Sequence, residues 1–287
     1  MKYIEYKPAS NSNPLNIVIS ILIGSVIAFF LGWFYCVSTL IPIIYFKVLI
    51  TIGLGFALAF TVQILSKIFI IKDKKSRLIF ISFIVIIAYY SAWIGFIVQT
   101  YTDTFPSFID YANYWILPNN IIENIALINK HGTWGLNFSG AINGITLTMV
   151  WIIEAIIIFS IAIGRVSKFP ENPFSEKLNK WYPKMILQEE FEPIYSSSRF
   201  ILSLKEKDID IIFDLKKGFA RRYSEIAVFY LEGEDVQYIS IDNKVINVKQ
   251  ENKTASTPVI KPIQISTVEA RKLITKFNVS KEFYLDF

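Results

Sequence analysis

Gly144–Gly164, GITLTMVWIIEAIIIFSIAIG, is 21 residues long and carries one ionisable side chain, Glu154, near its middle. About 20 consecutive apolar residues carry a helix across a ~30 Å hydrocarbon core, so this stretch reads as a membrane span. A carboxylate inside such a span is costly unless it is protonated, paired or wetted, which makes Glu154 the first candidate functional residue. Three more segments meet the same length criterion, at about 16–38, 45–66 and 78–99, with the fourth at 143–164. The fold class expected is therefore an α-helical integral membrane protein with four transmembrane helices and a carboxy-terminal α+β domain containing a small antiparallel sheet. Residues 1–168 are assigned to the transmembrane domain and 169–287 to the second domain.

The composition agrees. The 287 residues are 53% hydrophobic, and the mean hydropathy is +0.43. From Arg165 onward Lys and Arg number 20 against 18 Asp and Glu, leaving +2 there and +3 of the total +5 for the first part. So small and dispersed a surplus argues against nucleic-acid binding, which calls for a concentrated basic stripe. One cysteine, Cys36, and one histidine, His131, exclude a Cys/His zinc site, and no metal, cofactor or catalytic motif is read from the chain. The run Leu15–Leu31 is too long for a signal peptide and is followed by no small-residue cleavage site, so it is expected to remain as the first span.

Basic residues set the orientation. Lys67, Lys72, Lys74, Lys75 and Arg77 crowd between spans two and three, and Arg165, Lys168, Lys177 and Lys180 follow span four. Lys2 and Lys7 precede span one, whereas the 101–142 loop holds only Lys130. The positive-inside rule then puts both termini and the basic loop in the cytoplasm and the long loop outside. The isoleucine- and lysine-rich chain fits a multi-pass protein of a bacterial cytoplasmic (inner) membrane. Lys72, Lys74, Lys75 and Arg77 are expected to face anionic lipid headgroups. Lys47 and Lys67, at the ends of span two, can snorkel to the interfaces.

Gly24, Ala28 and Gly32 recur at four-residue spacing in span one, as do Gly53 with Ala57 and Gly55 with Ala59 in span two. Such faces let helices approach closely. Spans one and two, joined by the short Thr39–Ile44 turn with Pro42, are expected to pack through them; the same faces also suit a homo-oligomer. In the long loop, Pro106 to Pro118 and an Asn120-x-x-Glu123 capping pattern leading to Gly132 predict two short interfacial helices. Asn137-x-Ser139 matches a glycosylation sequon in the same loop.

The Pro-punctuated stretch 169–195 is expected to run from the membrane into the domain. Arg199–Leu204 reads as a strand, and Ile209, Ile211, Phe213 and Leu215 alternate at period two, in competition with a helical stripe through Ile209, Ile212 and Phe213. Glu225–Leu231, Val236–Ile241 and Lys244–Lys249 read as a three-stranded meander, with turns at 232–235 and at Asp242-Asn243. Thr257–Ile265 adds a strand that Pro258 and Pro262 confine to an edge. Ser266-x-x-Glu269 opens a final helix ending near Asn278.

By depth, Tyr89, Tyr90 and Ser25 are the expected neighbours of Glu154, while Gln63 and Gln99 lie too far along the bundle to extend a proton path. Glu154 is read either as a buried interhelical hydrogen-bonding group or as the ionisable centre of a small oligomeric transporter or channel. The function expected first is the anchoring of a cytoplasmic interaction or sensing domain, with membrane lipids and a protein as partners. Arg221-Arg222 is a further candidate contact for an anionic surface.

Overall fold

The computed structural model describes residues 3–8, 11–38, 44–102, 108–116, 121–132, 141–169, 172–218, 221–247 and 253–281. Four helices are long and apolar enough to cross a membrane: α1 (Pro14–Ser38), α2 (Ile44–Ile68), α3 (Lys74–Thr102) and α6 (Gly144–Ser167). Their outward residues are themselves apolar: Leu22, Val26 and Phe34 on α1 and Met149, Ile152 and Ile156 on α6 stand exposed. Such faces suit hydrocarbon and would be an aggregation liability in water. Helix α3 begins four residues earlier than its apolar run, because Asp73 caps it: Asp73 Oδ2 accepts the Ser76 backbone N–H at 2.8 Å.

The contacts divide the chain into Asn11–Glu171 and a second unit made of Met1–Ser10 together with Asn172–Phe287. Residues 3–8, grouped with the first part in the sequence reading, thus belong to the carboxy-terminal unit.

Within the helical unit, α1 packs most extensively on α3, and α2 on α6. This corrects the expected use of the small-residue faces. Gly24 lies against Phe80 and Ile84, and a side chain at Gly32 would run into the Ala88 carbonyl and Ser91, so the face of span one closes on α3. Gly55 closes on Ile158 and Ile161 of α6, while nothing lies within 4 Å of a Cβ at Gly53. Backbones approach where side chains vanish, and the partners were chosen by shape across the whole bundle. The two short helices exist as α4 (Phe108–Ile116) and α5 (Ile121–His131), and Gly132 ends the second at φ +80°. Residues 39–43 with Pro42, and Pro106, Pro118, Asn120 and the 137–139 sequon, lie outside the described residues. Helix α4 is docked by a buried anchor. Tyr111 is 0% exposed, its hydroxyl bonds the hydroxyl of Ser91 and lies 3.0 Å from the Ser91 carbonyl, and its ring meets Phe29 at 5.1 Å.

The second unit is α+β. A five-stranded antiparallel sheet has the order β6-β5-β4-β3-β7, with β3 (Lys184–Leu187), β4 (Arg222–Phe229), β5 (Val236–Asn247), β6 (Lys253–Ser266) and β7 (Val279–Lys281). A small hairpin of β1 (Phe174–Ser175) and β2 (Lys180–Trp181) precedes it. Residues 172–195 are accordingly part of this unit, with Leu187, Phe191 and Ile194 in its core. Helices α7 (Ser197–Lys207) and α8 (Thr267–Lys276) supply Phe200, Leu204, Ala270 and Leu273 to that core, against Ile226, Val228, Ile239 and Ile263 of the sheet.

Two expectations about strands are overturned. Arg199–Leu204 is helical because Ser196 caps it, its Oγ accepting from Arg199 N, and because Phe200 and Leu204 fall one turn apart on the buried face. Asp208–Ile212 forms a 3-10 turn that buries Ile209 and Ile212, so the helical stripe prevails over the period-two reading. Asp242-Asn243 is no turn either: the two strands expected there are one continuous β5. The Asn243 amide clamps Ile194 instead, accepting its N–H at 3.2 Å and donating to its carbonyl at 2.9 Å. Strand β6 is the edge of the five, as its prolines require. Residues 3–6 cover part of that edge, with Tyr3 N donating to Gln264 O at 2.9 Å, Gln264 N to Ile4 O at 2.8 Å and Tyr6 N to Pro262 O at 2.7 Å. The capping box at Ser266 and Glu269 forms in full, and Tyr3 adds to it by donating its hydroxyl to Glu269 at 2.7 Å.

Candidate functional site

Glu154 stands ten residues after Gly144, the first residue of α6. Side chains lean toward the amino-terminal end of their helix, so its carboxyl is carried back toward that end. There it meets Tyr35 of α1, which is only 5% exposed and donates its hydroxyl to Glu154 Oε1. The Tyr35 hydroxyl is also 3.1 Å from Thr51 Oγ1 of α2, and Thr51 Oγ1 in turn lies 2.8 Å from the Lys47 carbonyl. Side chains of three helices therefore meet here, Glu154 of α6, Tyr35 of α1 and Thr51 of α2.

Tyr35 and Thr51 are the residues that depth reasoning missed. Each is eight residues from position 43, on either side of the connection between α1 and α2. At 1.5 Å per residue Tyr35 sits about 4.5 Å from the end of α1 at Ser38, Thr51 about 10 Å into α2 and Glu154 about 15 Å into α6.

Of the expected neighbours, Tyr89 lies near this site and Tyr90 and Ser25 do not. Tyr89 is on the same side of the bundle as Glu154, with its hydroxyl 3.5 Å from the carbonyl of Trp151. Tyr90 faces Trp115 of α4, ring centroids 5.4 Å apart. Ser25 bonds its own helix at the Ile21 carbonyl. Gln99 receives the thiol of the buried Cys36 at 3.7 Å. Among the described residues no group of three His, Cys, Asp or Glu side chains is placed to hold a metal ion. Chemically, the arrangement can hold the Glu154 carboxyl in place through the Tyr35 hydroxyl.

The basic cluster divides in two. Lys74 and Lys75 are exposed, but Lys72 and Arg77 are buried at 7% and 6% exposure, so these two do not face lipid headgroups as expected. Next to them Ser12 and Asp73 form a clasp. Ser12 donates both its backbone N–H (3.1 Å) and its hydroxyl to Asp73 Oδ1, and its Oγ accepts the Lys72 backbone N–H at 2.8 Å. This folds the segment before α1 over the α2–α3 connection.

Burial pushes the Asp73 carboxyl up, but hydrogen bonds from Ser12 and Ser76 outweigh it and hold the group down at about 2. A depressed carboxylate contributes stability that is complete above its unfolded value near 3.8 and is lost as pH falls toward 2. Asp73→Ala is expected to lower helical-unit stability by about 1–2 kcal/mol at neutral pH through loss of the cap. Thermal unfolding of wild type and variant should differ at pH 6 and converge as the pH approaches about 2. A difference that persists unchanged in acid rules out the clasp as the source.

On the second unit, Arg221 and Arg222 line a cleft of about 390 Å³ together with Glu192, Pro193 and Tyr195. Tyr195 is 87% exposed, and Leu202 of α7 also stands in solvent. His131 is exposed at the end of α5. No protein family, curated protein or solved structure matches this chain, so the chemistry of the site rests on its own residues.

Proposed function

We propose that the chain is a multi-pass protein of a bacterial cytoplasmic membrane that holds an interaction or sensing domain on the cytoplasmic side, with both termini there. The exposed cleft of Tyr195, Arg221 and Arg222 carries this reading. Tyrosine and arginine are the residues that anchor protein interfaces, and an exposed ring beside two guanidinium groups suits an acidic protein surface. The basic residues on the connections flanking α2, α3 and α6 support the orientation. A photocrosslinking side chain at position 195 of the full-length protein is expected to capture a discrete partner in native membranes, and Arg222→Glu is expected to abolish the adduct. The same probe at Val268, exposed on α8, serves as the control. An adduct at both positions, or at neither, refutes the assignment of this face.

A second reading is favoured by one observation. The Thr51–Tyr35–Glu154 chain is also what an ionisable centre of a small oligomeric transporter or channel would require. The two readings part on Glu154→Gln, which keeps the shape and removes the charge.

A further inference from the structure

A shallow, largely open groove of about 610 Å³ runs along one face of α3 and is lined by Lys74, Lys75, Leu78, Ile79, Ser82 and Phe83. Its two ends differ chemically. Lys74 and Lys75 stand exposed at one end; Ile79 and Phe83 present apolar surface along the rest, 42% and 53% exposed. Ser82 does not make the floor polar, because its hydroxyl is spent on the Leu78 carbonyl at 2.8 Å. Asp73, the carboxylate next in sequence, is turned into the clasp with Ser12 and Ser76, so the two lysines still outnumber the one carboxylate beside them. From Lys74 to Phe83 the groove extends nine residues, about 13 Å along the helix.

We infer that this groove binds one anionic glycerophospholipid, its phosphate on Lys74 and Lys75 and an acyl chain along Ile79 and Phe83. Charge complementarity names the occupant. A zwitterionic lipid leaves the two ammonium groups uncompensated, and a free phosphate leaves the apolar floor empty. Lys72 and Arg77, directed into the protein, take no part, so the site is narrower than the four-residue basic cluster. The inference rests on the membrane-spanning reading of α3.

The full-length protein is reconstituted in vesicles of equal parts phosphatidylcholine and phosphatidylglycerol, extracted in mild detergent, and its retained lipids are counted by native mass spectrometry. Wild type is expected to retain one phosphatidylglycerol in preference to phosphatidylcholine. Lys74→Gln/Lys75→Gln should reduce that preference about tenfold, Ser82→Trp should reduce retention of either lipid by filling the floor, and Lys67→Gln should change nothing. Monodisperse elution of each variant checks its fold. An unchanged preference in the double lysine variant overturns the site. So does loss in that variant with no effect of Ser82→Trp, which means charge adsorption without a groove, and so does displacement of the lipid by inorganic phosphate. Failure of the wild type to float with vesicles overturns the membrane reading itself and is separately visible.

Discussion

Deleting residues 1–8 is expected to unfold the carboxy-terminal unit while leaving the four long helices assembled. The segment is part of that unit's core: Tyr3 is 5% exposed and packs with Ile194, Ile263 and Phe277 in the main cluster. Tyr6 joins Tyr182, Phe229 and Tyr238 in a second cluster, its ring 5.3 Å from that of Tyr238, and its hydroxyl accepts the Phe174 backbone N–H. Removing a large buried aromatic costs about 3–5 kcal/mol, and two are lost here together with the pairing along β6. Against a total stability of about 5–15 kcal/mol, the domain has little left. Limited proteolysis should show the region after residue 172 becoming sensitive, with α1–α6 still protected. A fragment beginning near residue 169 should behave in the same way and recover protection when a peptide of residues 1–10 is added. A fragment that resists protease without the peptide would show the strand to be dispensable.

Tyr35→Ala is expected to destabilise the helical unit by about 3–5 kcal/mol, since it empties an aromatic site and strips the Glu154 carboxyl of its donor. Tyr35→Phe isolates the hydrogen bond, for which deletions between membrane helices average about 0.6 kcal/mol and reach about 1.7. A double-mutant cycle with Glu154→Leu separates the two contributions. If the carboxyl matters through Tyr35, the loss caused by Tyr35→Phe should disappear when Glu154 is already leucine. Equal losses in both backgrounds would mean that the two groups are not coupled. Glu154→Gln, measured beside them, decides between the readings of the site. Retained abundance with loss of ion flux in vesicles supports a transport role; retained abundance with no flux in either protein supports a structural one.

Much of the architecture was legible in the chain because the membrane constraint is one-dimensional. A run such as Gly144–Gly164 either is or is not long and apolar enough to span, and a local count finds it. Local chemistry also placed the capping box at Ser266 and Glu269 and the edge character that Pro258 and Pro262 impose on their strand. These features depend on neighbours a few residues away.

The rest depends on partners far along the chain. Arg199–Leu204 is rich in residues that suit a strand, and its helix was selected by the cap at Ser196 and by a sheet waiting for Phe200 and Leu204. Asp242-Asn243 has the composition of a turn, but Asn243 is used to satisfy the backbone of Ile194, 49 residues away. Tyr3 reaches Glu269 across a separation of 266 residues, which no local window contains. For Glu154 the chain alone identified the group, its helix and its cost. Its pairing with Tyr35 and Thr51, instead of Tyr89, Tyr90 or Ser25, came from the way α1, α2 and α6 meet, because depth constrains height along a helix and leaves rotation to packing.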